Sequence, residues 1–463
     1  MAVSIARRLI RSAQQLPNLL ARNSLDPWLG HLLNCLAIIR RVALRRVTFI
    51  GVTGSCGKTT TIALSSAVLS SAGRCWAGGG PNRWLVAQTI VGLSASTKFC
   101  VQELHASNPG DIGKFLRLFK PQIGAVTTVG GDHYKNYRSL EATAREKGRL
   151  VECLPPHGVA ILNADDPNVR GMVARTHARV ITFGLSPDAE LRATEVSGRW
   201  PDRLSFTATY SGQTVSVVTQ LVGDHWVTAV LAAIAIGIAC GLGLRTCAEA
   251  VKSVDPVFGR YSAHVRSDGT AYILDTYKAP LWTIARGLDF VRSARAPRTS
   301  IVFGMITDYA GNGARVYRRL AREALEVADR VIFIGQNSGH IDKLRRGEVR
   351  DRLFDFPTTY QGSAFLARDV MPGELIYVKS DLSEHLERIM LSQLDEVLCW
   401  QERCGKNWRF CTTCPKYRKA VPAPPVSGRV IPANGHDNQT LAVLHRHDHF
   451  ELRDNREQCS PCG

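Results

Sequence analysis

Gly51-Val-Thr-Gly-Ser-Cys-Gly-Lys-Thr-Thr-Thr61 follows the apolar run Val47-Thr48-Phe49-Ile50 and precedes a helix-like segment from Ile62 to Ala72. The three parts read as a strand, a phosphate loop and a helix. Glycines let the backbone turn tightly, so that successive N–H groups and the helix N-terminus face an anion. Lys58 is placed to reach β- and γ-phosphates and Thr59 to hold Mg²⁺. The stretch therefore reads as an ATP site formed by Gly54, Ser55, Cys56, Gly57, Lys58, Thr59 and Thr60. Five residues separate Gly51 from Gly57 where the ordinary Walker pattern has four, and that departure narrows the reading.

Further along, Glu103 sits in Gln102-Glu-Leu-His-Ala-Ser-Asn-Pro-Gly-Asp-Ile112, just past the strand-like Phe99-Cys100-Val101. A carboxylate at the carboxyl end of a parallel strand, opposite the phosphate loop, is where a second Mg²⁺ ligand is expected. Then come Ala125-Val-Thr-Thr-Val-Gly-Gly-Asp-His133, Ser139-Leu-Glu141, Ala144-Arg-Glu-Lys147 and Val159-Ala-Ile-Leu-Asn-Ala-Asp-Asp-Pro167. Leu221-Val-Gly-Asp-His225, Phe258-Gly-Arg260, Ile273-Leu-Asp-Thr-Tyr-Lys-Ala-Pro280, Val302-Phe-Gly-Met305 and Tyr377-Val-Lys-Ser380 complete the series.

In this order and spacing the segments resemble the Mur ligase superfamily, most nearly its dipeptide-adding branch, over roughly residues 47 to 395. The resemblance implies an ATP-dependent ligase. It assigns a second Mg²⁺ to His133 and to Lys147, whose carbamylation turns a cation into an anionic oxygen ligand suited to a hard metal. It sets Arg260 against the phosphates, a task for a permanent planar charge. Asp275 and Lys278 are expected to close over the site from a second domain, and Asn82, in a loop only loosely like the family's, to approach a phosphate or metal.

Departures accompany the likeness. After His225 the family has asparagines near the nucleotide where this chain has Trp226 and Ala229, so adenine recognition is expected to be altered. Lys278 stands in place of an asparagine. Only ~46 residues precede the phosphate-loop strand, too few for a typical domain, so the family's uridine-nucleotide-gripping domain is expected to be missing.

The 463 residues, 45% hydrophobic and 21% charged, fit two large folded units with attachments. Alternating apolar strands and helix-like segments predict parallel α/β sheets. The expected division is a basic helical arm (1–46), a P-loop central domain (47–255), a Rossmann-like C-terminal domain (256–395) and a cysteine-rich tail (396–463). The uncharged stretch Trp226–Leu244 is long enough to suggest a membrane helix. Its Ala- and Gly-rich composition and its place after Gly223-Asp-His225 predict a buried helix instead. No secretory signal is read, and the expected location is cytoplasmic.

Net charge is +18, and the N-terminal arm is rich in arginine. The arm is expected to pack on the central domain as a solvated helix, with peripheral membrane contact as its alternative role. Nucleic acid is not an expected partner, because no groove-reading or stacking motif accompanies the charge. Thirteen cysteines without an export signal point to a reducing compartment. Cys399, Cys404, Cys411 and Cys414 form C-x4-C-x6-C-x2-C, a spacing that suits a tetrahedral Zn²⁺ or an iron–sulfur cluster. Cys459, Cys462, His436, His445, His447 and His449 are spare candidate ligands.

The resulting expectation is a carboxylate–amine ligase using ATP and Mg²⁺, with Zn²⁺ in an accessory tail. Its partners would be an anionic carboxylate, an amine or amino-acid acceptor, and a protein supplying substrate recognition. A nucleotide-binding scaffold without ligase activity is the alternative.

Overall fold

The computed structural model describes residues 27–80, 83–344, 347–407 and 409–417. A nine-stranded sheet holds the first half of the chain. Its strands are β1 (Thr48–Thr53), β2 (Cys75–Gly79), β3 (Phe99–Glu103), β4 (Ile123–Val126), β5 (Val159–Asn163), β6 (Arg179–Gly184), β7 (Leu191–Ser197), β8 (Ser205–Tyr210) and β9 (Gln213–Val218). They lie in the order β2-β3-β1-β4-β5-β6-β7-β8-β9, parallel through β7 and antiparallel thereafter. β1, β3 and β4 are buried almost throughout, which is why they read as apolar runs rather than as alternating ones.

Alternation still sorts their side chains. Phe49 points into a core with Val86, Ile112, Phe115 and Leu150, whereas Ile50 and Val52 point into one with Leu64, Val68 and Leu231. The second core is supplied by α2 (Lys58–Ser70) and, later in the chain, by the helix Val227–Ala239, which packs along it. This later helix lies inside Trp226–Leu244 and is buried along nearly all its length, and among the described residues no helix is long and apolar enough to cross a membrane.

On the other face α1 (Pro27–Ala43) lies across the helices Arg83–Gly92 and Asp111–Phe119. Arg40 donates to the Leu93 carbonyl, and Arg41 donates to those of Phe119 and Lys120 while its guanidinium lies 3.7 Å over the Phe49 ring. The arm's described helix is thus packed on the sheet unit, as expected, and Leu32, Leu36, Ile39 and Val42 remain exposed on it.

Past the helix Leu244–Val251 the chain enters a second sheet: β10 (Ser262–Val265), β11 (Ala271–Asp275), β12 (Thr299–Phe303), β13 (Arg330–Ile334), β14 (Leu353–Phe356) and β15 (Leu375–Lys379). The order is β10-β11-β15-β12-β13-β14, with only β10 antiparallel. An apolar core continues from one sheet unit into the other through Trp200, Tyr261 and Phe290.

Candidate active site

Strand order reverses around β1, since the chain goes from β1 to β2 and β3 on one side and to β4 on the other. Loops after β1, β3 and β4 therefore converge at the carboxyl ends of the strands, where such sheets bind ligands. The β1 loop is shaped by glycine. Gly54 has φ +151°, and a Cβ there would lie 1.9 Å from Thr127 Oγ1; Gly57, at φ +80°, turns the chain into α2. The first-turn N–H groups of α2 face the loop from its helical end. Lys58 Nζ donates to the Gly54 carbonyl at 2.7 Å, folded over the loop it would otherwise extend from.

Thr59 Oγ1 donates to Glu103 Oε2 at 3.0 Å, so the hydroxyl and the carboxylate expected to share a Mg²⁺ are already adjacent. Burial pushes the Glu103 carboxyl up, but Lys58, His105, Arg260 and the Thr59 hydrogen bond together hold it below its ordinary value. His105 Nε2 stands 3.3 Å from Glu103 Oε1. Burial lowers this imidazole to about 4 despite Glu103, so at neutral pH the ring beside the carboxylate is uncharged.

Loop 127–133, after β4, braces the phosphate loop. Ser55 N donates to the Thr128 carbonyl at 2.8 Å, Thr127 Oγ1 to the Cys56 carbonyl at 2.7 Å, and Ser55 Oγ to Asp132 Oδ1. Asp132 also meets Lys147, whose Nζ lies 3.2 Å from Oδ2 on a side chain 1% exposed. Burial, opposed by Asp132 and aided by Lys58, brings the Lys147 ammonium down to about 8. Helix Leu140–Glu152, which carries Lys147, is fixed by the preceding residue: Glu146 accepts from the backbone N–H of Gly110 and Ile112 at 2.9 and 2.8 Å. His133 sits at φ +51°, and burial together with Lys278 lowers its pKa.

The second sheet contributes cations. Arg260 stacks on Tyr277 with 4.2 Å from its guanidinium carbon to the ring centroid. Lys278 is exposed, yet desolvation in the cleft and the nearby Lys58 and Arg260 hold its ammonium below the ordinary lysine value. Trp282 covers the β4 loop so closely that a Cβ on Gly130 would lie 2.7 Å from its ring.

Lys58, Thr59, Glu103, His133, Lys147, Arg260 and Lys278 are thereby drawn into one electrostatically coupled cleft. Asp275 is held by its own sheet: Oδ2 accepts from Lys379 Nζ at 2.5 Å and from Tyr377 Oη at 3.2 Å. Asn82 lies outside the described residues. Asp132 and His105 gained their significance only from the fold; Asp132 adjoins His133 in sequence, and that adjacency was the available signal.

Trp226 and Ala229, which stand where the family has asparagines, do not reach into the cleft. Both are buried, Trp226 beside the rings of His225 and Tyr261, and Ala229 beneath Gly57, 3.9 Å from where its Cβ would be. Ala229 thus packs under the phosphate loop, and Trp226 joins the ring cluster around Tyr261. His225, half-buried beside the rings of Trp226 and Tyr261 and lowered to about 3 by burial, Arg286 and Lys379, is a neutral packing ring. The four tail cysteines line one cavity, but no three of their thiols approach within 4.8 Å of one another, so the compact tetrahedral Zn²⁺ set is not what the structure assembles. Cys459, Cys462 and the four tail histidines lie outside the described residues.

Residues 52–237 match the profile of the Mur ligase middle domain. The UDP-N-acetylmuramoyl-tripeptide–D-alanyl-D-alanine ligase of Mycobacterium tuberculosis strain CDC 1551 is 28% identical over 394 residues, covering 80% of this chain and 76% of that protein. Residues 52–237 are thus those of a Mur ligase middle domain. A UDP-N-acetylmuramate–L-alanine ligase of Xanthomonas campestris pv. campestris strain B100 is 33% identical over 216 residues, 46% of this chain and 44% of that protein. Among solved structures, the D-alanyl-D-alanyl ligase of Acinetobacter baumannii superposes with TM-score 0.70 at 20% identity, covering 79% of this chain and 80% of that one. Thermotoga maritima MurF ligase in complex with ADP gives 0.66 at 18% identity, with 77% and 82% covered. These likenesses establish a Mur ligase fold for the two sheet units.

Proposed function

We propose that this protein is an ATP-dependent ligase joining a carboxylate to an amine in cell-wall or related peptide synthesis. The observation that carries the reading is the Thr59–Glu103 pair beside the phosphate loop, faced by Arg260 and Lys278 from the other sheet. Bringing γ-phosphate and carboxylate together sets two anions against each other, and this cleft concentrates the cations that offset their repulsion.

Thr59 and Glu103 would hold one Mg²⁺; Asp132, His133 and a carbamylated Lys147 would hold another. Apart from the His133 nitrogen their donors are hard oxygens, which fit that ion. Bound Mg²⁺ would neutralise charge on the phosphate oxygens. Lys58 and the loop N–H groups orient the γ-phosphoryl group for attack by a carboxylate oxygen, with ADP leaving. Attack of the amine on the acyl phosphate then forms the C–N bond, phosphate departs with the C–O electron pair, and the amine's proton is released. Lys278 and Arg260 position the anionic reactants, and Trp282 on Gly130 excludes water from the cleft. Names of the relatives indicate an amino acid or dipeptide as amine.

Phosphate release from ATP should be stimulated by a carboxylate–amine pair drawn from cell-wall fragments and amino acids, with amide product at one equivalent per phosphate. Lys58→Ala should lower turnover at least about 100-fold with the fold intact. Nucleotide bound tightly without any stimulated turnover across that panel would instead identify a scaffold.

A further inference from the structure

Between Leu394 and Tyr417 the chain has little core of its own, yet it is held against the C-terminal sheet unit. Arg388, on the helix Glu387–Leu394 and 1% exposed, donates through Nη1 to the carbonyls of Cys399 and Gln401, both at 3.2 Å. Cys411 N donates to Glu387 Oε1 at 2.9 Å. These anchors bring Cys399, Cys404, Cys411 and Cys414 round one cavity of about 70 Å³.

We propose that these four cysteines ligate an iron–sulfur cluster. Space and charge decide between this and a single zinc ion. Sulfurs at about 2.3 Å from one Zn²⁺ would lie within about 4 Å of one another and leave nothing between them. Here no three of the thiols lie within 4.8 Å of one another, and the cavity they enclose is several times the roughly 10–15 Å³ that one water requires. Four thiolate ligands are the usual complement of such a cluster. Its negative charge would be met by Arg388, Lys406, Arg409 and Lys416, which also line the cavity, and no carboxylate lines it. Lys406 Nζ already lies 3.3 Å from Cys414 Sγ, in position to donate to a ligand sulfur.

The cluster's place gives it a structural consequence. Phe410, next to Cys411, stacks edge-on against Phe258 at 4.8 Å and approaches Tyr277 at 6.0 Å. A Cβ on Gly259 would lie 2.5 Å from its ring. The cysteine segment thus rests on the residues that carry Arg260, and the cluster would hold it there.

Full-length protein, isolated anaerobically and reconstituted with ferrous iron and sulfide, should contain about two or four irons with matching acid-labile sulfide. It should absorb in the visible and bleach on reduction. Cys411→Ser and Cys414→Ser should each abolish that absorption, whereas Cys153→Ser, at a thiol elsewhere on the surface, should leave it unchanged; circular dichroism and nucleotide binding would report on folding. Stoichiometric zinc without sulfide would overturn the proposal. So would iron retained in both Cys399→Ser and Cys404→Ser, which would move the metal to the buried His385, Glu387 and Cys411, whose ligand atoms do lie within 4.8 Å of one another. Failure to take up any metal would overturn it as well. None of these outcomes bears on the ligase reading, which phosphate release tests.

Discussion

Lys147 Nζ lies 3.2 Å from Asp132 Oδ2, and both residues are buried beneath the phosphate loop. Capture of CO₂ requires a neutral amine, and with its pKa brought from 10.5 to about 8 the group supplies one at mildly alkaline pH. Activity should therefore fall in CO₂-stripped buffer, recover with bicarbonate, and rise between about pH 7 and 8.5 as the neutral fraction grows. Lys147→Arg, permanently charged, should be inactive at every bicarbonate concentration. Indifference of the wild type to bicarbonate, together with no carbamate carbon signal from ¹³C-labelled bicarbonate, would remove the carbamate from the site.

Glu103→Gln keeps the size of the side chain and its bond to Thr59 but removes the charge. The Mg²⁺ concentration for half-maximal activity should rise by about tenfold or more, with a smaller change at saturating Mg²⁺. A titration that superposes on wild type would show that Glu103 does not serve the metal.

Gly130→Val would force the Trp282 ring from the β4 loop. Because misplacement by about 1 Å can cost ~100-fold, turnover should drop by that order, while nucleotide affinity, set by the loop after β1, should change little. Equal losses in both would show that the contact supports the phosphate loop instead of closure.

Glu384 offers a stability test away from the chemistry. Burial raises its carboxyl to about 7 against the ordinary 4.5, even though Met305 N and Ser380 donate to it. The folded chain then holds a proton that the unfolded chain releases, so stability falls as pH rises from about 4.5 through 7. Melting temperature should decline across that window, and Glu384→Gln should flatten the decline. A variant with an unchanged slope would assign the dependence to other groups.

Much of this site was legible because phosphate binding leaves a local signature. Gly54, Gly57, Lys58 and Thr59 occur together in one turn, and Glu103 ends a recognisable strand. Asp132 was harder to read, since its partners Ser55 and Lys147 are distant in sequence and meet it only when β4 docks beside β1. Asp275 is similar. Its motif was legible, but its partner was not, because only the pairing of β11 with β15 places Lys379 directly opposite. Where Trp226 and Ala229 pack was not legible, because residue identity says nothing about which way a helix start faces. The cysteine spacing allowed either metal, and the separation of the thiols on which the cluster proposal rests becomes visible only in the fold.

The clasp made by Arg40 and Arg41 changes how the chain's excess of positive charge should be weighed. Guanidinium donors already satisfied by the carbonyls of Leu93, Phe119 and Lys120 are poor sites for exchanging counterions. Formal charge therefore overstates the attraction that a polyanion or an anionic bilayer would meet at this end of the molecule. Adsorption there should weaken with added salt less steeply than a count of arginines suggests, and removing these two should loosen the sheet unit before it alters any such adsorption.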